Sequence, residues 1–159
     1  MSENPPSTAA ADAVQPGITI TRILSAPCER VFAAWIEPAQ FAEWFGSRAA
    51  EIPVETISMD VRPGGTWSAT MFAGPDRREI PWTGTYREVD PPKRLVFTLT
   101  DQTDEEAVEV VTVSFDDLDG MTEMTFTQGG NTLTEEQYDG ARQGWLGFFD
   151  TLAEVVVRD

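Results

Sequence analysis

Apolar residues recur along this chain with two different periods, and the change of period divides it into elements. From Thr134 to Val157 they fall at Tyr138, Ala141, Trp145, Phe148, Phe149, Leu152, Val155 and Val156. Steps of three and four place these side chains on one stripe of a helix. Thr134 and Gln137 have the spacing of a capping box, in which each side chain satisfies the other residue's backbone N–H. Acidic residues in the first turn suit the positive end of the helix dipole, and Arg158 suits the negative end.

Most of the chain before this helix alternates with period two. Strands are predicted at Ile18–Ser25, Val54–Val61, Thr66–Phe72, Ile80–Val89, Arg94–Thr100, Val108–Phe115 and Thr122–Gln128. The first strand places Arg22 on its apolar parity, where the guanidinium is expected to reach the sheet end or a carboxylate. Two short helices follow that strand. The first starts with Pro27 at its first position and buries Val31, Phe32, Trp35 and Ile36. Pro38 ends it, and a second helix over Ala39–Phe45 ends at Gly46. Turns are expected at Arg62-Pro63-Gly64-Gly65 and at Asp119-Gly120, where glycine supplies the positive φ. The order β-α-α-β-β-β-β-β-β-α describes an α+β fold: a curved antiparallel sheet of about seven strands around a long C-terminal helix. Residues 1–16, rich in Pro, Ala, Ser and Thr, read as a disordered tail, and 17–159 as a single domain.

Charge narrows the list of partners. The net charge is −16, and the stretch from Leu95 to Ala141 holds twelve Asp and Glu with no Lys or Arg. Nucleic acid and anionic membrane surfaces both demand basic patches, so neither is an expected partner. No apolar run approaches the ~20 residues of a membrane span, and the N-terminus lacks the apolar core of a signal peptide. The single cysteine, Cys28, excludes an internal disulfide and suits a reducing cytoplasm.

Catalytic chemistry finds little support. There is no histidine, which removes the usual neutral-pH base and the commonest metal ligand. Asp116, Asp117 and Asp119 lack the ligand spacing of an EF-hand and read as an acidic hairpin turn. Cys28 at a helix start has no histidine to pair with, and no carboxylate is read on the inner parity of a strand or on the helix stripe, so no acid–base pair is placed. No enzyme, metal or cofactor is expected.

Five phrases occur together in the chain: Ala26-Pro27-Cys28-Glu29-Arg30-Val31-Phe32-Ala33-Ala34-Trp35, Phe41-Ala42-Glu43-Trp44-Phe45, Arg62-Pro63-Gly64-Gly65, the run from Gly84 to Leu95, and Gly144-Trp145. In these phrases, and in element order from Ile18 to Val157, the sequence resembles the activator of heat-shock-protein-90 ATPase-like family. That family belongs to the START-like (SRPBCC, helix-grip) superfamily. The resemblance implies a sheet wrapped around the C-terminal helix, often with an apolar cavity between them. Eukaryotic co-chaperones of the family carry an additional N-terminal domain that binds the chaperone, and the short tail here is not expected to supply one.

The predicted inner surface is aromatic. Trp67, Met71, Trp82, Tyr86, Phe97, Phe115, Met124, Trp145, Phe148 and Phe149 are the candidate ligand-binding residues. Gly84, Gly144 and Gly147 lie on or near this surface, where a missing side chain means either close backbone approach or open space. Trp82 and Tyr86 are candidates for the few polar contacts that orient an apolar ligand. The leading expectation is a START-like domain that binds a small hydrophobic molecule. The alternatives are a chaperone-accessory interaction module docking through Glu105, Glu106 and Glu109, linked by the family to stress response, and an enzyme of the cyclase or dehydratase type.

Overall fold

A computed structural model of the chain describes residues 17–46, 50–101, 108–130 and 132–157. The expected tail and most of the acidic connection after Asp101, including Glu105 and Glu106, lie outside the described residues, as does Arg158.

Among the described residues the chain forms one eight-stranded antiparallel sheet and three α-helices. The strands are β1 (Ile18–Leu24), β2 (Ala50–Glu51), β3 (Ser58–Met59), β4 (Thr66–Ala73), β5 (Arg78–Asp90), β6 (Arg94–Leu99), β7 (Glu109–Leu118) and β8 (Met121–Gly129). The helices are α1 (Cys28–Ile36), α2 (Pro38–Trp44) and α3 (Glu135–Val155). Sheet order is β1-β8-β7-β6-β5-β4-β2, with β3 also on β4, so a meander from β4 to β8 is completed by the first strand returning beside the last. This is the expected helix-grip arrangement.

Alternating burial holds along β4, β7 and β8, whose inward residues include Trp67, Ala69 and Met71, then Val111, Val113 and Phe115, then Met124 and Phe126. The capping box of α3 is present in both directions: Thr134 Oγ1 accepts from Gln137 N, and Gln137 Oε1 accepts from Thr134 N. Its stripe meets the sheet as the period demands, with Tyr138, Trp145, Phe149, Leu152 and Val155 buried. Arg22 forms an ion pair with Asp150, tying β1 to the outer side of α3. At the β7–β8 hairpin, Asp119 and Gly120 both take positive φ, 57° and 94°, matching the twist of the strands they join.

Two local expectations change. Pro27 is the N-cap rather than the first helical residue, and its carbonyl accepts from Arg30 N and Val31 N. The strand expected over Val54–Val61 is replaced by a 3₁₀ turn at Val54–Thr56 and the two-residue β3. Thr56 explains the change. Its hydroxyl donates to Pro53 O at 2.7 Å and accepts from Thr70 N at 3.1 Å, so a side chain takes the place of a strand ladder beside β4.

Trp35 of α1 sits at the centre of the interior. Its ring lies 4.7 Å from Trp44, 6.4 Å from Phe126, 6.3 Å from Trp145 and 6.1 Å from Phe149. The short helices thus fill much of the space between sheet and α3 with two indoles. What space remains lies beneath the N-terminal half of α3.

Candidate functional site

That space is a cavity of about 250 Å³. The sheet contributes Trp82 from β5, Leu99 from the end of β6, Glu109 from the start of β7 and Gln128 near the end of β8. Ala141, Gly144, Trp145 and Phe148 come from α3, Phe45 from the end of α2, and Thr100, Asp101, Thr132 and Leu133 from the flanking loops. An engineered apolar cavity of about 150 Å³ holds benzene, so this volume suits a molecule of one or two rings.

The apolar wall is a set of mutually touching rings. Phe45 lies 6.2 Å from Trp82, 5.7 Å from Trp145 and 5.3 Å from Phe148, and Trp145 lies 5.4 Å from Phe148. Gly144 faces open space, with no atom within 4 Å of where its Cβ would stand. The indole Nε1 of Trp82 is buried and has no hydrogen-bond partner among the described residues.

The polar wall is a connected network around Glu109, which is only 5% exposed. Its Oε2 accepts from Tyr138 OH at 2.8 Å, from Thr132 Oγ1 at 2.7 Å and from Thr132 N at 3.2 Å. Its Oε1 accepts from Gln128 Nε2 at 3.1 Å, and Gln128 Oε1 accepts from Trp145 Nε1 at 2.7 Å. Among the described residues four donors and no acceptor converge on the carboxyl group, the pattern that suits an ionised carboxylate. A buried carboxylate satisfied in this way is stable where an unpaired one is not.

Of the residues proposed from sequence, Trp82, Trp145 and Phe148 come together on this cavity. Trp67, Tyr86 and Phe97 border a separate crevice of about 10 Å³, at the lower limit for one water molecule. Met71, Met124 and Phe149 are core residues. Phe115 reaches a larger groove of about 620 Å³ whose other walls include Cys28, Glu29, Asp90, Lys93, Arg94, Asp116 and Asp117. That groove is mainly charged, whereas ligand pockets are mainly apolar with a few placed polar groups, as the 250 Å³ cavity is.

The three glycines separate. A Cβ on Gly84 would stand 1.8 Å from Thr98 O and 2.5 Å from Trp67 Nε1, so this glycine permits close approach and leaves no room. Gly144 lines the cavity, while Gly147 has space around it but does not.

Sequence reasoning missed Phe45, Glu109 and Gln128. Glu109 was grouped with an acidic docking surface, yet it points inward; it shares parity with Val111, Val113 and Phe115, as Gln128 does with Met124 and Phe126. That parity was the available signal. Among the described residues no His, Cys, Asp and Glu group is suited to hold a metal, and no helix is long and apolar enough to cross a membrane.

No curated protein matches the sequence. Solved structures match the fold closely. A protein from Chromobacterium violaceum superposes with a TM-score of 0.77 at 24% identity, over 90% of this chain and 98% of that one. One from Mycobacterium smegmatis gives 0.75 at 22% identity, over 90% and 91%. The AHSA1-like protein from Aeromonas hydrophila gives 0.70 at 25% identity, over 87% and 92%. The sequence pattern of the family described as Activator of Hsp90 ATPase homolog 1-like protein matches residues 25–157, and the chain belongs to that family.

Proposed function

We propose that this protein binds a small hydrophobic molecule of one or two rings in the cavity between α3 and the sheet, and that it does so without catalysing a reaction. The observation that carries the reading is the cavity itself: about 250 Å³ enclosed by Phe45, Trp82, Leu99, Trp145 and Phe148, beside one organised polar group. Apolar walls with a few placed polar groups are the usual build of a small-molecule site. The non-enzymatic part rests on the absence of histidine and on the state of Glu109, whose two oxygens are both engaged by protein donors.

The chaperone-accessory reading draws on the family and on the acidic run from Leu95 to Ala141. It loses Glu109, which is buried and unavailable to a docking partner. The test of the ligand reading is calorimetric titration with a neutral two-ring alcohol, 1-naphthylmethanol, before and after Gly144→Leu. Saturable binding that the substitution removes supports the reading; no saturable binding of this alcohol or of its charged analogues overturns it.

A further inference from the structure

The charge of the cavity wall specifies more than size, and this step rests on the ligand reading above. Among the described residues, two acidic ones, Glu109 and Asp101, line the cavity, and no Lys or Arg does. Most of the polar wall, from Leu99 through Asp101, Glu109, Gln128 and Thr132 to Leu133, falls inside the stretch from Leu95 to Ala141 that holds twelve acids and no base. Two of the twelve acids of that run, Asp101 and Glu109, therefore border the site.

Facing these acids are the rings of Phe45, Trp82, Trp145 and Phe148. An indole or phenyl face carries negative charge density and attracts a cation lying over it. Among the described residues Glu109 Oε1 accepts one hydrogen bond, from Gln128, and an ionised carboxylate oxygen has capacity for a second. A carboxylate beside aromatic side chains, with no basic residue among the described ones, is the chemistry that recognises a hydrophobic ammonium ion. The same wall repels an anion, so a fatty acid or an aromatic carboxylate is the wrong occupant. We propose that the cavity selects an aromatic or alicyclic amine in its protonated form, its ring among Phe45, Trp82, Trp145 and Phe148 and its ammonium toward Glu109.

The test uses three probes of one shape: 1-naphthylmethylammonium, 1-naphthylmethanol and 1-naphthoate, titrated calorimetrically into the full-length protein at neutral pH. The ammonium is expected to bind at least tenfold more tightly than the alcohol, and the carboxylate most weakly. Glu109→Gln should bring the ammonium close to the affinity that the same variant shows for the alcohol. Asp101 is exposed, so Asp101→Asn keeps the fold intact should Glu109→Gln disturb it, and it should narrow the ammonium preference by about threefold, or about 0.65 kcal/mol. Equal binding of ammonium and alcohol, or a preference for the carboxylate, overturns the charge selection and leaves the cavity reading standing. Failure of all three probes to bind overturns both.

Discussion

The indole Nε1 of Trp145 donates to the side-chain carbonyl of Gln128 at 2.7 Å, linking the middle of α3 to β8 inside the core. The bond fixes the orientation of the Gln128 amide, whose nitrogen then meets Glu109. One indole thus packs the helix against the sheet and completes the polar network of the cavity.

Two substitutions separate those roles. Trp145 is 5% exposed, and Trp145→Ala should destabilise by about 3–5 kcal/mol, as large core truncations do. Trp145→Phe keeps most of the ring and strands the Gln128 carbonyl, which should cost about 1–3 kcal/mol. Urea unfolding of the three proteins checks both values. A loss below about 1 kcal/mol for the alanine variant would place the ring at the surface and contradict the helix phase.

Gly84 and Gly147 are expected to respond in opposite directions. The hydrogen bond from Trp67 Nε1 to Thr98 O, 3.0 Å long, passes over Gly84, where a methyl group has no room. Gly84→Ala should destabilise by about 2–3 kcal/mol through overpacking. Gly147→Ala meets no atom within 4 Å and should stabilise α3 by about 0.5–1 kcal/mol. Thermal melts of the two variants give the sign of each effect directly.

Tyr86 is expected to make the fold sensitive to alkali. Burial of its phenol, reinforced by the charge of Asp60, pushes its pKa well above the ordinary value near 10. The folded state holds the proton more tightly than the unfolded chain, so stability is fully present below the unfolded value. It is lost as pH rises above about 10, with a slope of up to about 1.4 kcal/mol per pH unit from this group. Tyr86→Phe should remove that part of the alkaline slope, measured as urea midpoints between about pH 9 and pH 11. An unchanged slope would mean that the phenol ionises in the folded protein as readily as in water.

Much of the fold was legible because its determinants are local and periodic. The stripe from Tyr138 to Val156, the Thr134–Gln137 box and the Asp119-Gly120 turn all state their structure in a few residues. The segment after Pro53 was not legible, since its shape depends on Thr56 reaching Thr70 across the sheet. At the candidate site the rings on α3 and β5 were readable from parity, and so were Glu109 and Gln128 in principle. The pull of a long acidic run toward a surface reading hid Glu109. Phe45 and the contrast between Gly84 and Gly144 depend on how elements dock, which no local pattern records.

The central claim is that the space beneath α3 receives a ligand. Calorimetric titration with 1-naphthylmethanol of the unmutated protein and of Gly144→Leu tests it most directly, because Leu at this position extends into the cavity from a helix that favours it. The unmutated protein should show one-to-one saturable binding at micromolar concentration. The variant should lose affinity by at least tenfold, about 1.4 kcal/mol, with an undiminished melting temperature. A cooperatively folded unmutated protein that gives no saturable heat with this alcohol or with its charged analogues would contradict it.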